Sequence, residues 1–398
     1  MFFEYQTKEK NSLDDFEWLR GDEIYVAPNH WKEIKANFDI SEIQEYLKDL
    51  IKKYQIPCPM SKVNYELERQ RFNKLKTTHF NLAKKEWTSY RLDEDFNKKY
   101  LNDFALTEQN HQTGKSISNA FMEKVRYSAG YKHSEYRTYV DDWQEILEGK
   151  YTNNRLLRSS IHFANDVFDT RAILAGTRLS TLAVTQFKPS VAKAIYDFFD
   201  AENVLDFCAG WGDRLVGFNA SNSQSYIGID PNSKLHEPYR KIHQFCNTGK
   251  KATFICSPAE EVDYSDLKYD FVFTSPPYFD LEIYSQEETQ SVKKFNTFDL
   301  WLEGFLLTTL SKIYEGLDEG GRIAVNIADN ENKKVLVCTD MVAYMESIGA
   351  TFEGIIGYGL QTRPKSIDTE IRKAEPIFIW SKGKAKDPKW NQDNYFGV

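Results

Sequence analysis

Val204-Leu205-Asp206-Phe207-Cys208-Ala209-Gly210-Trp211-Gly212-Asp213-Arg214 runs from a short apolar stretch into an acid, a turn with two glycines and the polar start of a helix. An acid at a strand end followed by a tight turn belongs at the carboxyl edge of an α/β sheet, where ligands bind. Gly210 and Gly212 allow the main chain to turn sharply and approach a ligand without a Cβ clash, and Asp206 can accept a hydrogen bond from a cationic amino group. A nicotinamide fingerprint, G-x-G-x-x-G, would need a third glycine where Leu215 stands. The next apolar run ends in Gly228-Ile229-Asp230-Pro231-Asn232, where a carboxylate can take both ribose hydroxyls of a nucleoside.

Further out, strands alternate with helical segments from about residue 180, the mark of a mainly parallel sheet covered on both faces. The strands are expected at Val204–Phe207, Tyr226–Ile229, Thr253–Cys256, Phe271–Thr274 and Arg322–Ile327, with a closing pair at Phe352–Tyr358 and Pro376–Trp380. Pro189 fits the first turn of a helix through Val191, Ala194, Ile195 and Phe198. Trp301, Phe305, Leu306, Leu310 and Ile313 make a second apolar stripe, and a third helix is expected over Val335–Ile348. The fold class is therefore α/β, a doubly wound, mainly parallel, seven-stranded sheet. Residues 40–150 read as mostly helical, with Ile43, Leu47, Leu50 and Ile51 on one face. Asp141-Asp142 reads as a helix cap and first turn, and Gly149 as its stop. The expected division is a helical domain over 1–150 and an enzyme domain over 151–398.

The composition, 41% hydrophobic, 15% aromatic and 28% charged over 398 residues, supports packed cores and excludes a collagen-like or wholly disordered chain. No apolar run is long enough to span a bilayer, the opening Met1-Phe2-Phe3-Glu4 lacks the pattern of an export signal, and no membrane partner is expected. Five scattered cysteines without a C-x-x-C pair fit a reducing cytosol or nucleus, and seven histidines without ligand spacing suggest no metal. The net charge of -8 is uneven: residues 51–137 carry 17 basic against 10 acidic side chains, or +7, while residues 1–50 are at -6. That basic stretch, interleaved with Tyr65, Phe72, Trp87, Tyr90, Tyr100, Tyr127, Tyr131 and Tyr136, suits either a nucleic-acid surface or a solvated helical face over a core.

Asp-x-x-x-Gly-x-Gly followed by an acid after the second strand resembles the S-adenosylmethionine site of class I methyltransferases. Ser257-Pro258-Ala259-Glu260 falls where that family contacts adenine, although Glu260 also reads as a plain first-turn carboxylate. Thr274-Ser275-Pro276-Pro277-Tyr278 follows the apolar strand Phe271-Val272-Phe273. Two prolines stiffen the turn and remove two N–H donors, leaving carbonyl acceptors between a hydroxyl and an aromatic plane. Such a set suits a planar amino group.

Ser275-Pro276-Pro277-Tyr278 matches the Ser/Asn/Asp-Pro-Pro-Tyr signature of the DNA N4-cytosine/N6-adenine amino-methyltransferases. Phe279 to Tyr284, Leu317 to Asp329, Glu375 to Lys382 and Phe187-Lys188-Pro189 are similar to the same family, over roughly residues 177–385. The resemblance implies S-adenosylmethionine as cofactor, held by Lys188, Pro189, Asp206, Phe207, Gly210, Gly212, Asp230, Ala259 and Glu260. It implies a base amine at Ser275, Pro276, Pro277 and Tyr278, with DNA the favoured partner and cytosine N4 favoured over adenine N6. Rivals are a guanine-N2 RNA or protein-glutamine methyltransferase, and a non-catalytic nucleic-acid-binding or scaffolding subunit of the same fold. Family members with this motif order carry target recognition near the C-terminus. Here that role is expected of residues 1–150, and the loop Leu360–Ala374, bearing Arg363, Lys365, Arg372 and Lys373, reads either as an ordinary exposed hairpin loop, the favoured reading, or as a phosphate clamp.

Overall fold

A computed structural model describes residues 12–79, 82–84, 87–88, 104–106, 113–131, 135–181, 184–329, 336–359 and 372–385. The chain divides into two compact units, residues 1–62 with 123–184, and residues 63–122 with 185–398. The boundary expected near 150 is corrected accordingly. The helix there, Tyr139–Glu148, packs by its buried Trp143 against an earlier segment, with the indole Nε1 donating to the Ile56 carbonyl at 2.9 Å. Nearby sequence pattern cannot reveal such a long-range contact.

Among the described residues the first unit is mainly helical: Pro28–Asn37, Ile40–Tyr54, Tyr139–Glu148, Arg155–Phe163 and Thr170–Gly176, with a two-residue hairpin at Leu19–Arg20 and Glu23–Ile24. Ile43, Leu47, Leu50 and Ile51 are buried, as their spacing predicts. Thr138, not Asp141, caps the Tyr139 helix. Its hydroxyl accepts from the Asp141 N–H at 3.1 Å while the Asp141 carboxylate accepts from the Thr138 N–H at 3.1 Å. This reciprocal box places both aspartates inside the first turn. Gly149 ends the helix at φ 71°, as expected.

The second unit is built on a sheet whose main strands are β1 (Asn203–Asp206), β2 (Ser225–Ile229), β3 (Lys251–Ile255), β4 (Phe271–Thr274), β5 (Arg322–Asn326), β6 (Ala350–Gly359) and β7 (Arg372–Lys382). Their spatial order is β6-β7-β5-β4-β1-β2-β3. β1 to β5 pair in parallel, and β7 is antiparallel to both β5 and β6. Every residue of β4 and β5 is buried, as a sheet covered on both faces requires. This is the doubly wound, seven-stranded arrangement with its late closing hairpin. Three short strands enlarge the sheet to ten: Phe104–Leu106 beside β6, Leu82–Lys84 beside that, and Trp87–Thr88 beside β7. They lie in the stretch read as helical, because two- and three-residue strands on a sheet edge are too short to show an alternating pattern.

Helices α1 (Tyr65–Thr77), α2 (Lys115–Arg126), α3 (Pro189–Phe198), α4 (Asp213–Ala220) and α5 (His236–Cys246) precede β3. Pro189 occupies the first turn of α3, and the later helices α6 (Thr308–Gly316) and α7 (Val337–Ser347) close onto the main core with Trp301, Phe305 and Leu306. Among the described residues no helix is long and apolar enough to cross a membrane.

Candidate active site at the carboxyl edge of the sheet

β1 lies between β2 and β4, so the chain runs outward on one side of β1 and resumes on the other. Ligands of doubly wound sheets bind outside the carboxyl ends of the strands at such a reversal. The glycine turn leaves β1 and the Ser-Pro-Pro-Tyr turn leaves β4, and the pairing is parallel, with Phe271 opposite Val204 and Val272 opposite Leu205. Both turns therefore emerge on one edge, from neighbouring strands. The Thr274 hydroxyl ties them, donating to Asp206 Oδ1 at 3.0 Å and accepting from the Cys208 N–H at 3.1 Å.

Asp206 has a different role from the one expected. It is wholly buried and binds Arg214, with Nε to Oδ2 at 2.8 Å and a terminal nitrogen to Oδ1 at 3.1 Å. Tyr226 donates to Oδ2 at 2.8 Å. With Thr274, these donors occupy the carboxylate's acceptor positions, leaving no place for a ligand's amino group. Burial disfavours the Arg214 charge, but Asp206 more than offsets this and the guanidinium is held firmly protonated. The Arg214 guanidinium also donates to the Cys208 carbonyl, fixing both ends of the turn. Asp206 thus shapes the crevice from beneath, and no binding role to a ligand amine is assigned to it. Phe207 is likewise a core side chain, with no exposed surface.

Gly210 and Gly212 both have positive φ, 54° and 75°. They serve differently: a Cβ on Gly212 would meet Ile242 Cδ1 at 2.9 Å, whereas one on Gly210 would find nothing nearer than 3.7 Å. The open side at Gly210 is therefore where a ligand can lie against the main chain. Its N–H donates to Asp230 Oδ2 at 3.0 Å, and the Asn232 N–H donates to Oδ1 at 3.0 Å. Each Asp230 oxygen retains acceptor capacity beyond that bond. Burial raises the Asp230 carboxyl to about 7, against the pull of the two N–H donors. Asn232 Nδ2 is buried without a hydrogen-bond partner, an amide donor two residues beyond the ribose-type acid. An open Gly210, a carboxylate with spare acceptors and an orphaned amide N–H together fit a nucleoside-bearing cofactor.

The segment after the Ser-Pro-Pro-Tyr turn crosses to this side. Trp211 meets Tyr284 edge-on with ring centroids 5.9 Å apart, Glu287 accepts from the Ser233 hydroxyl at 2.7 Å, and Thr289 donates to the Pro231 carbonyl at 3.4 Å. Sequence reading missed this strap, which has no local signature.

At the motif itself, the Ser275 hydroxyl donates to Asn326 Oδ1 at 3.3 Å, and Tyr358 donates to the same oxygen at 3.4 Å. Asn326 ends β5 and gives its amide N–H to the Pro376 carbonyl at 2.8 Å. It holds Ser275 so that the hydroxyl's lone pairs remain available as acceptors. Its position at the carboxyl end of a third parallel strand is the signal that could have marked it. Pro276 is buried, and Ser275, Pro277 and Tyr278 are half-buried. Phe279 has φ 50°, a conformation rare for an aromatic residue, and strain of this kind collects at functional turns.

Lys188 precedes α3 and is buried, with its ammonium 5.1 Å from the Tyr358 ring centroid. Burial, then repulsion from Lys115, lowers it to about 8, against the pull of Glu375. The Tyr358 link joins Lys188 to the Ser275 side of the site, and Pro189 starts α3 beside it. Glu260 is instead committed to an ion pair with Lys294, on a short 3-10 turn, Ala259–Glu261. The Ala259 carbonyl accepts from Tyr264 at 2.9 Å. For Glu260 the structural reading of a first-turn carboxylate holds. The clamp suggested over Leu360–Ala374 lies outside the described residues except for its last few, and of Arg372 and Lys373 only the backbone is described.

No protein-family model matches the chain, and no curated protein matches it. Among solved structures, the chain is similar to a precorrin-6y C5,15-methyltransferase from Geobacter metallireducens, at 14% identity over 48% of this chain and 86% of that one, with a TM-score of 0.32. It is similar to a SAM-dependent O-methyltransferase from Thermotoga maritima, at 12% identity over 51% of this chain and 69% of that one, with a TM-score of 0.33. It is also similar to an rRNA methylase from Streptococcus thermophilus, at 14% identity over 50% of this chain and 99% of that one, with a TM-score of 0.32. Likeness at this level carries no conclusion about substrate, and the functional reading rests on the chain's own geometry.

Proposed function

We propose that this chain transfers the methyl group of S-adenosylmethionine to the exocyclic amine of a nucleic-acid base, with cytosine N4 in DNA favoured over adenine N6. One observation carries the reading: the glycine turn and the Ser-Pro-Pro-Tyr turn leave adjacent parallel strands on the same edge, at the reversal of strand order, joined through Thr274. The cofactor would supply an electrophilic methyl group. Asp230 would take the ribose hydroxyls, the Asn232 amide would donate to the nucleoside, Gly210 would let the donor lie close to the main chain, and Lys188 would attract the methionine carboxylate.

The chain's own residues then act on the amine. Its lone pair is delocalised into the ring, so it attacks poorly while planar. Ser275 Oγ, oriented by Asn326, and the carbonyls of the diproline turn accept its two N–H bonds, which favours a pyramidal nitrogen aimed at the donor. Tyr278 stacks on the base. No strong base is needed, because the methylated amine is acidic enough to lose its extra proton to water. A duplex base must first be flipped out, at a cost of a few kcal/mol that stacking and edge hydrogen bonds offset.

The test is to incubate the purified chain with S-adenosylmethionine and DNA or RNA, digest to nucleosides and analyse by mass for N4-methylcytosine, N6-methyladenine and N2-methylguanine. Calorimetry with the cofactor runs in parallel, and Ser275→Ala is the control. N4-methylcytosine lost in Ser275→Ala supports the proposal. Absence of both cofactor binding and any methylated base refutes it in favour of a scaffold, and N2-methylguanine alone refutes the choice of substrate.

A further inference from the structure

Beside α3 the second unit contains an open cavity of about 500 Å³ whose lining includes Arg71 and Lys74 of α1, Lys115, Ser116 and Asn119 of α2, and Gln186. We propose that this cavity binds the phosphodiester backbone of the polynucleotide whose base enters the catalytic turn. The inference deepens the nucleic-acid reading above and rests on it.

Three of these side chains are cationic and three are neutral hydrogen-bonding groups, so the lining suits an oxyanion. Buried Glu68 organises one side. It accepts from Arg71 at 2.5 Å and from the Ser116 hydroxyl at 2.6 Å, and Arg71 also donates to Ser116 Oγ at 3.1 Å. One acid thus fixes the direction of one cation, and Lys74 and Lys115 add two further cationic side chains to the lining. Lys115 opens the 12-residue α2, adding the positive end of a helix to the same cavity. The helix start is held in place: a Cβ on Gly114 would strike Leu75 Cδ2 at 2.8 Å and lie 3.1 Å from Pro189 Cβ.

Position favours the substrate backbone over an unrelated anion. Gln186 donates to Ser118 Oγ at 3.3 Å, and Ser118 is bonded to Asp213, which follows the glycine turn directly. The next residue, Phe187, packs on Phe273 of β4 and on Tyr358, at 5.5 and 5.6 Å between ring centroids. Tyr358 shares Asn326 Oδ1 with Ser275. The wall of the cavity therefore continues into the layer that supports the catalytic hydroxyl. A cavity of this size exceeds what a single inorganic anion fills.

The experiment measures fluorescence anisotropy of a labelled 12-nucleotide single strand, DNA or RNA, with the full chain at several salt concentrations and without methyl donor. The proposal expects Lys74→Glu/Lys115→Glu to weaken binding at least tenfold and to reduce the log-log salt slope by about 0.7 per lost phosphate contact. Lys74→Gln/Lys115→Gln should fall between it and the wild type, and Lys32→Glu in the other unit should change nothing. Circular dichroism melting checks that the variants fold. Unchanged affinity and salt slope in folded variants overturn the proposal. Adenosine monophosphate is titrated into the same variants, and loss of its binding with oligonucleotide binding intact also overturns the proposal, since the cavity would then be a mononucleotide site. Because no donor is present, failure of cofactor binding leaves this measurement standing, and the two readings fail separately.

Discussion

Replacing Asp206 by alanine should unfold this chain more readily, with any loss of cofactor affinity following from that. Asp206 is wholly buried, its partner Arg214 is 5% exposed, and they meet at 2.8 Å. Removing the acid leaves a guanidinium in the interior with the Cys208 carbonyl and the Phe187 ring face in place of its carboxylate, and also strands the Tyr226 and Thr274 hydroxyl protons. Breaking a buried pair from one side costs about 3–5 kcal/mol. For a unit of this size each kcal/mol moves the melting temperature by about 2–4 °C, so a fall of roughly 6–20 °C is expected. The assay is thermal melting by circular dichroism at pH 7.5 without ligand, comparing Asp206→Ala, Arg214→Met and the Asp206→Leu/Arg214→Met pair. The pair should recover most of the loss, since two apolar side chains of similar volume remove both charges together. A melting temperature for Asp206→Ala within about 2 °C of the wild type, together with lost cofactor binding, would refute the reasoning and return this carboxylate to the ligand.

The glycines should separate by function. Gly210→Ala should cost about 1 kcal/mol of stability from its left-handed backbone yet lower cofactor affinity in calorimetry. Gly217→Ala, whose Cβ would lie 2.7 Å from the Pro189 carbonyl oxygen, should lower the melting temperature by overpacking α3 against α4. Cofactor binding should strengthen as pH rises towards and past about 7, where Asp230 ionises and can accept both ribose hydroxyls; calorimetry from pH 5.5 to 8.5 follows it. The stability effect has the opposite sign. Because its folded pKa is raised, Asp230 holds a proton that the unfolded chain releases, so its contribution to stability falls between about pH 4 and 7 and is flat above. Urea unfolding of Asp230→Ala should lack that component. Lys294→Met should destabilise by about 1–3 kcal/mol in urea unfolding, since it leaves buried Glu260 without its cation beside Glu261.

The strands of the main sheet, the two turns and the helix starting at Pro189 were legible because each is a local pattern: a β-branched or aromatic run, a glycine or proline punctuation, a stripe of apolar residues. Local pattern also placed acids at the ends of β1 and β2. It could not say which acid faces a ligand. Asp206 and Asp230 look alike in sequence, each ending an apolar strand. Only the return of Arg214 from the next helix, and of Thr274 and Tyr226 from neighbouring strands, turns one inward while Asp230 keeps acceptors at the crevice.

By itself, then, the sequence determined the sheet class, the edge at which the glycine and diproline turns emerge and the residue types offered there, because periodicity and turn chemistry act within a few residues. The tertiary structure decided how the chain interleaves into two units, the three added edge strands, the support of Ser275 by Asn326, and the gathering of α1 and α2 cations around one cavity. Each of these depends on contacts between residues far apart in the chain, and their strength is set by burial, which no local window of sequence records.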